Sequence, residues 1–116
     1  MRPRIITGKY KNRQLEVPDG ARPVTDRIKR SIFDTLGDRI EGATFLDLYC
    51  GSGSMGFEAL SRGADFVTFV DLGRDTKSLI FENAKQLGVD GNQFAVYRTD
   101  SIRYLKKFKY KHDIIF

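Results

Sequence analysis

The spacing of apolar positions changes character near residue 44. Before it, Ile5 and Ile6 lead into a turn-forming stretch from Gly8 to Arg13, and Leu15 and Val17 then alternate with polar residues. That pattern predicts a β-hairpin over residues 4–17. Pro18-Asp19-Gly20 is a turn signal. Thr25 or Asp26 then predicts a helix cap, followed by Ile28, Ile32, Phe33 and Leu36 on one face, with Gly37 as the stop.

From Thr44 onward, strand and helix patterns alternate. Thr44–Tyr49, Phe66–Asp71, Phe94–Arg98 and Asp113–Phe116 read as strands. Ser54–Arg62, closed by Gly63, and Arg74–Leu87 read as helices, the second with Leu79, Ile80, Ala84 and Leu87 inward. Ser101–Phe108 reads as a short helix. Strand–helix alternation at this spacing predicts right-handed parallel crossovers, and hence an α/β fold with a parallel sheet flanked by helices. The expected division is a basic hairpin and linker over residues 1–24 and a larger part over 25–116. A final strand with no helix after it reads as the N-terminal part of a longer domain, cut after the fourth strand.

Composition narrows the class. With 116 residues, 41% of them apolar and 30% charged, one domain with a buried core is expected. No apolar run approaches the ~20 residues of a membrane span, and the N-terminus lacks the apolar stretch of a signal peptide. A lone Cys50 cannot form an internal disulfide, and one Cys with one His does not make a structural zinc site. No metal is therefore expected, and the compartment expected is the cytoplasm.

Charge adds a partner class. Residues 1–30 hold nine Lys/Arg against three acids, and Arg103 to Lys111 carries five positive charges and no acid. Two basic segments flanking a mildly acidic middle suggest a polyanion partner.

The strongest candidate site is Asp47-Leu48-Tyr49-Cys50-Gly51-Ser52-Gly53-Ser54-Met55-Gly56. It contains G-x-G-x-x-G at Gly51, Gly53 and Gly56, between a predicted strand and a predicted helix, the context the motif requires. Glycines allow close backbone approach, and a helix N-terminus presents free N–H groups. Asp71 follows Gly51 by 20 residues, at a strand end where a carboxylate can bind ribose hydroxyls. Dinucleotides and S-adenosylmethionine share this geometry. Asp47, an acid before the glycines, suits the ammonium group of S-adenosylmethionine and tilts the reading towards it.

The segments Phe45–Gly53 and Gly56–Ala64, with Arg22-Pro23-Val24-Thr25-Asp26-Arg27 upstream and Arg4–Lys11 at the start, resemble the bacterial methyltransferases that modify guanine N2 in 16S ribosomal RNA. The resemblance covers essentially the whole chain and implies a Rossmann-like fold for S-adenosylmethionine-dependent methyl transfer. It implies that Asp47, Tyr49, Gly51, Gly53 and Gly56 line the cofactor, that Asp71 binds its ribose and that Asp100 faces its adenine. Tyr49, Cys50 and Asp71 depart conservatively from the family's more usual Phe, Ala and Glu. The family's catalytic Asn/Asp-Pro-Pro-Tyr/Phe motif is not within residues 1–116, so no catalytic residue is assigned here. Arg4, Lys9, Lys11, Arg13, Arg22 and Arg27 are the candidates for RNA contact. The expected partner is ribosomal RNA or the small ribosomal subunit, with no membrane, and the full-length protein is expected to be a monomer.

The remaining chemistry-bearing residues have plain readings. Cys50 is expected to be a small buried residue, His112 to sit exposed at a strand edge, and Glu58 to lie on a helix surface. Tyr10 either stacks on a base or packs on the sheet. Two other functions stay open from residues alone: a nicotinamide-dependent oxidoreductase and a non-catalytic RNA-binding module.

Overall fold

A computed structural model describes residues 2–18, 20–21, 23–107 and 111–116. Its centre is a four-stranded, wholly parallel sheet in the order β3-β2-β1-β4, formed by β1 (Thr44–Leu48), β2 (Phe66–Asp71), β3 (Phe94–Arg98) and β4 (Ile114–Ile115). Helices α2 (Ser54–Ser61), α3 (Thr76–Leu87) and α4 (Ser101–Lys107) make the crossovers, and α1 (Asp26–Leu36) precedes the sheet. The α/β reading, a parallel sheet flanked by helices, holds. The chain leaves β1 for β2 and β3 on one side, then returns to place β4 on the other, so the switch point lies between β1 and β4. Ligands in such sheets bind outside the carboxyl ends of the strands at this point.

The alternating strand pattern splits the core. Phe45, Val67, Phe69 and Phe94 point to one face and pack with Phe33, Phe57, Ile80 and Leu87 in the main cluster. Leu46 and Val70 point to the other face and pack with Tyr104 of α4. Beside that second cluster, Thr44, Phe66, Thr68, Ala95, Tyr97, Tyr104, Lys111 and His112 line a cleft of about 280 Å³.

Helix α1 departs from its predicted face. Thr25 does cap it, accepting from the Ile28 N–H at 3.3 Å. Ile28, however, is 53% exposed, whereas Lys29 is fully buried with Phe33. The inward period runs Lys29, Ile32, Phe33, Leu36. A lysine displaces an isoleucine there because its ammonium group is fully partnered: it donates to the Arg4 carbonyl (2.6 Å) and Ser54 Oγ (2.9 Å), and it lies 3.3 Å from Glu58 Oε1. Glycine 37 then follows α1, opening a short 3₁₀ turn over Gly37–Ile40.

The N-terminal segment forms the predicted hairpin in a short form: Ile5 N–H donates to the Arg13 carbonyl (2.9 Å), Asn12 N–H to the Ile5 carbonyl (2.8 Å) and Leu15 N–H to the Pro3 carbonyl (2.9 Å), around the antiparallel pair Arg4–Gln14. Helix α2 docks it on the sheet. Both oxygens of Glu58 accept from this segment, from the Ile6 N–H (2.8 Å) and the Thr7 N–H (3.1 Å). Ser61 Oγ accepts from Tyr10 N–H and donates to the Thr7 carbonyl. Asn83 of α3 exchanges two hydrogen bonds with the backbone of Glu16. Ile5, Ile6, Tyr10 and Leu15 are buried as a result, and each such side chain contributes roughly 1.5–3 kcal/mol.

This docking corrects the reading of Glu58 and decides between the two readings of Tyr10. Glu58 is not a surface charge but fully buried, paired with Lys29 and, at 2.9 Å, with Arg62. Tyr10 belongs to the core, at 6% exposure, so its ring is not presented for base stacking. A further correction concerns His112, which is half-buried, with Nε2 3.2 Å from the Tyr104 hydroxyl; burial lowers its pKa.

Candidate cofactor site at the carboxyl edge of the sheet

The glycine loop begins one residue earlier than the pattern suggests. Strand β1 ends at Leu48, and Tyr49 turns out of it with φ 52°, a left-handed conformation uncommon outside glycine. Its side chain is 67% exposed. The Tyr49 N–H donates to Ser101 Oγ at 3.3 Å, which ties this strained residue to the start of α4.

The rest of the loop is held from all sides. Cys50 N–H donates to the Val70 carbonyl (3.0 Å), and Gly53 N–H to the Cys50 carbonyl (2.8 Å). Asn83 Nδ2 donates to the Ser52 carbonyl at 3.1 Å. Lys29 grips Ser54, the first residue of α2. Lys29, Asn83 and Ser101 are therefore supports of the loop that motif reasoning missed. Lys29 and Asn83 do leave a trace in sequence. Asn83 sits in the series Ile80, Asn83, Ala84, Leu87, and Lys29 in the series Lys29, Ile32, Phe33, Leu36, both at inward helical spacing.

The three glycines meet different demands. A Cβ on Gly53 (φ 83°) would stand 2.6 Å from Ile80 Cδ1 and 2.8 Å from Phe57, and one on Gly56 would run into the Phe69 ring. Those two positions are small because the core is close. Gly51 (φ 54°) has nothing within 4 Å of the same position, so its outer side is open.

Asp47 lies below the loop at 2% exposure and accepts from the Gly56 N–H at 3.0 Å. Burial pushes its carboxyl group up to about 8, against the lowering effect of that hydrogen bond. A buried acid of this kind fits a cationic group. Asp71, at the end of β2, accepts from Gly51 N–H (2.9 Å) and from Gly73 N–H (2.8 Å), one on each oxygen. Each carboxylate oxygen keeps a further lone pair for a hydroxyl donor. Asp100 is exposed just beyond β3, where its Oδ1 accepts from Ile102 N–H at 3.4 Å in the first turn of α4. Asp47, Tyr49, Gly51, Asp71 and Asp100 thus gather at one edge of the sheet. Cys50 is buried, and burial raises the pKa of its thiol.

The basic candidates do not gather. Arg4 pairs with Asp26 at 2.9 Å, and Arg27 is exposed one residue further along α1. Both lie beside the first turn of α1, whose Lys29 reaches Ser54 at the carboxyl edge. Lys9, Lys11 and Arg13 are exposed around a turn that docks on Ser61, the last residue of α2. Since α2 runs away from the glycine loop, that turn is at the opposite, amino edge. Arg22 lies outside the described residues. Among the described residues no group of three or more His, Cys, Asp or Glu is placed to hold a metal ion, and no helix is long and apolar enough to cross a membrane.

The family model described as Conserved hypothetical protein 95 matches residues 3–116. The chain belongs to this family. Its curated relatives include Ribosomal RNA small subunit methyltransferase D of Haemophilus influenzae, 39% identical over 90% of this chain and 55% of its own length. The protein of the same name in Escherichia coli K12 is 36% identical over 97% of this chain and 57% of its own. The chain therefore spans a little over half the length of these relatives. A solved structure named "Putative methyltransferase yhhF from Escherichia coli" superposes with a TM-score of 0.89 at 32% identity, covering 99% of this chain and 62% of that one.

Proposed function

We propose that the whole protein is an S-adenosylmethionine-dependent methyltransferase that acts on guanine N2 of small-subunit ribosomal RNA in the cytoplasm, and that this chain carries its cofactor-binding part. Membership of a family whose relatives bear ribosomal RNA methyltransferase names supports the reaction class. The observation that carries the cofactor reading is the carboxyl-edge cluster in which Asp71 tethers Gly51 at the start of the loop and the buried Asp47 holds Gly56 at its end.

In this reading residues 25–116 bind the cofactor and residues 1–24 belong to the RNA side. Asp47 receives the ammonium group, Asp71 the ribose hydroxyls and Asp100 the adenine edge. Gly51 leaves room for the ligand, Tyr49 flanks it, and Gly53 and Gly56 let the loop and α2 sit close to the sheet. Bound S-adenosylmethionine supplies the methyl group. The residues present supply binding and orientation, which is the larger part of what such a displacement needs. Arg4, Lys9, Lys11, Arg13, Arg22 and Arg27 supply positive charge for RNA. The protein works as a monomer, without a metal ion.

Calorimetric titration of the full-length protein tests the reading. Wild-type protein should bind S-adenosylmethionine, and NAD should not compete. Asp71→Ala removes a charged acceptor worth roughly 1.5–3 kcal/mol, so affinity should fall about 10- to 100-fold. Absence of wild-type binding overturns the cofactor reading, and a loss below threefold in a folded variant removes Asp71 from the site. The substrate is tested by following a labelled methyl group into guanine N2 of small-subunit RNA.

A further inference from the structure

Most arginines of the N-terminal segment are already engaged. Arg2 pairs with Glu16, Arg4 pairs with Asp26, and Arg13 donates to the Gln86 carbonyl. A cleft of about 400 Å³ beside β3 differs from this. Tyr97, Arg98, Thr99, Arg103 and Lys107 line it, three cations with no acid among the described lining residues. Arg98 and Arg103 are exposed and have no ion-pair partner among the described residues.

Its position ties the cleft to the candidate site. Arg98 is the last residue of edge strand β3 and stands in register with Asp71 of β2. Thr99 N–H donates to the Asp71 carbonyl at 3.1 Å. Arg103 is in the first turn of α4, three residues after Asp100, and Lys107 is one turn further on the same helix face. The cleft therefore opens at the carboxyl edge, beside Asp71 and Asp100, whereas Lys9 and Lys11 lie at the amino edge.

We propose that the Arg98–Arg103–Lys107 cleft holds backbone phosphates of the substrate RNA next to the cofactor pocket. This rests on the RNA methyltransferase reading above. Guanidinium forks match phosphate oxygens in pairs. A base presented to the carboxyl edge must leave its stack, and its flanking phosphates then come to the same edge. Arg98 and Arg103, exposed and without an ion-pair partner among the described residues, favour them there.

The test uses the full-length protein and a stem-loop fragment of small-subunit ribosomal RNA, with binding followed by fluorescence anisotropy at several salt concentrations. Arg103→Gln with Lys107→Gln should weaken binding at least tenfold at low salt. It should also flatten the log–log salt slope by about 1.4–1.8, the value for two lost phosphate contacts. Affinity for S-adenosylmethionine should stay within twofold. Arg103→Lys with Lys107→Arg should restore the slope. A steep wild-type slope that survives the Gln pair overturns the cleft proposal and leaves the RNA reading intact. A wild-type protein with no salt-dependent RNA binding overturns both.

Discussion

At the scale of single residues, Asp47 makes the sharpest prediction, because burial has moved its titration into the working pH range. With a carboxyl group raised to about 8, the ligand-free protein keeps Asp47 protonated near neutrality. A cationic ligand group needs it ionised, so binding below about pH 8 releases a proton, and affinity should rise with pH by up to about tenfold per unit, levelling off near 8. The effect on folding has the opposite sign. A raised acid contributes stability that is fully present below its unfolded value, 3.8, and that contribution is lost as pH rises through 8. Asp47→Asn keeps an acceptor for the Gly56 N–H and removes the titration. Calorimetry from about pH 6 to 8.5 should therefore show a rising affinity in the wild type and a weak, flat one in the variant. A pH-independent wild-type affinity would place the ammonium group elsewhere.

At the scale of elements, α2 explains why much of the architecture was legible in sequence and the buried Glu58–Lys29 pair was not. The strands and crossover helices were readable because their periods are local and the sheet buries them on two sides: Phe66–Asp71 and Phe94–Arg98 match residue for residue. The glycine loop was readable because its spacing is itself the constraint. Burial of Glu58 was not, because it depends on which segment covers the outer face of α2. All eight residues of α2 are buried, sheet on one side and N-terminal segment on the other. That segment, 52 residues away in sequence at Ile6, supplies the N–H groups that satisfy the carboxylate. Lys29 went unread for the same reason, although its inward spacing was available. Glu58→Ala should expose the energetics. It strands the buried Lys29 ammonium group, whose pKa burial already lowers, and frees the N–H groups of Ile6 and Thr7. Removing one partner of a buried pair costs roughly 3–5 kcal/mol. Urea unfolding should register that loss in full. A cost below about 1 kcal/mol would mean that water replaces the carboxylate without difficulty.

At the scale of the whole molecule, α2 separates two edges of the sheet by about 12 Å, the length of eight helical residues. The candidate cofactor residues and the Arg98–Arg103–Lys107 cleft lie at the carboxyl edge, and the Lys9–Arg13 turn lies at the amino edge. RNA that spans both edges meets two electrostatic contacts that are independent of each other. Changing Lys9, Lys11 and Arg13 together to Ser should then lower RNA affinity without touching the cofactor. Arg13 is already spent on the Gln86 carbonyl, so the salt slope should flatten by the value for two phosphate contacts, about 1.4–1.8, and not for three. Cofactor affinity should stay within twofold, since no hydrogen bond of the turn reaches the glycine loop among the described residues. Filter binding across salt concentrations, with cofactor titration in parallel, measures both. Combined with the α4 substitutions, the slope losses should add, because sites this far apart share no partners. An unchanged slope in the triple variant would confine RNA to the carboxyl edge and make the amino-edge charges ordinary surface.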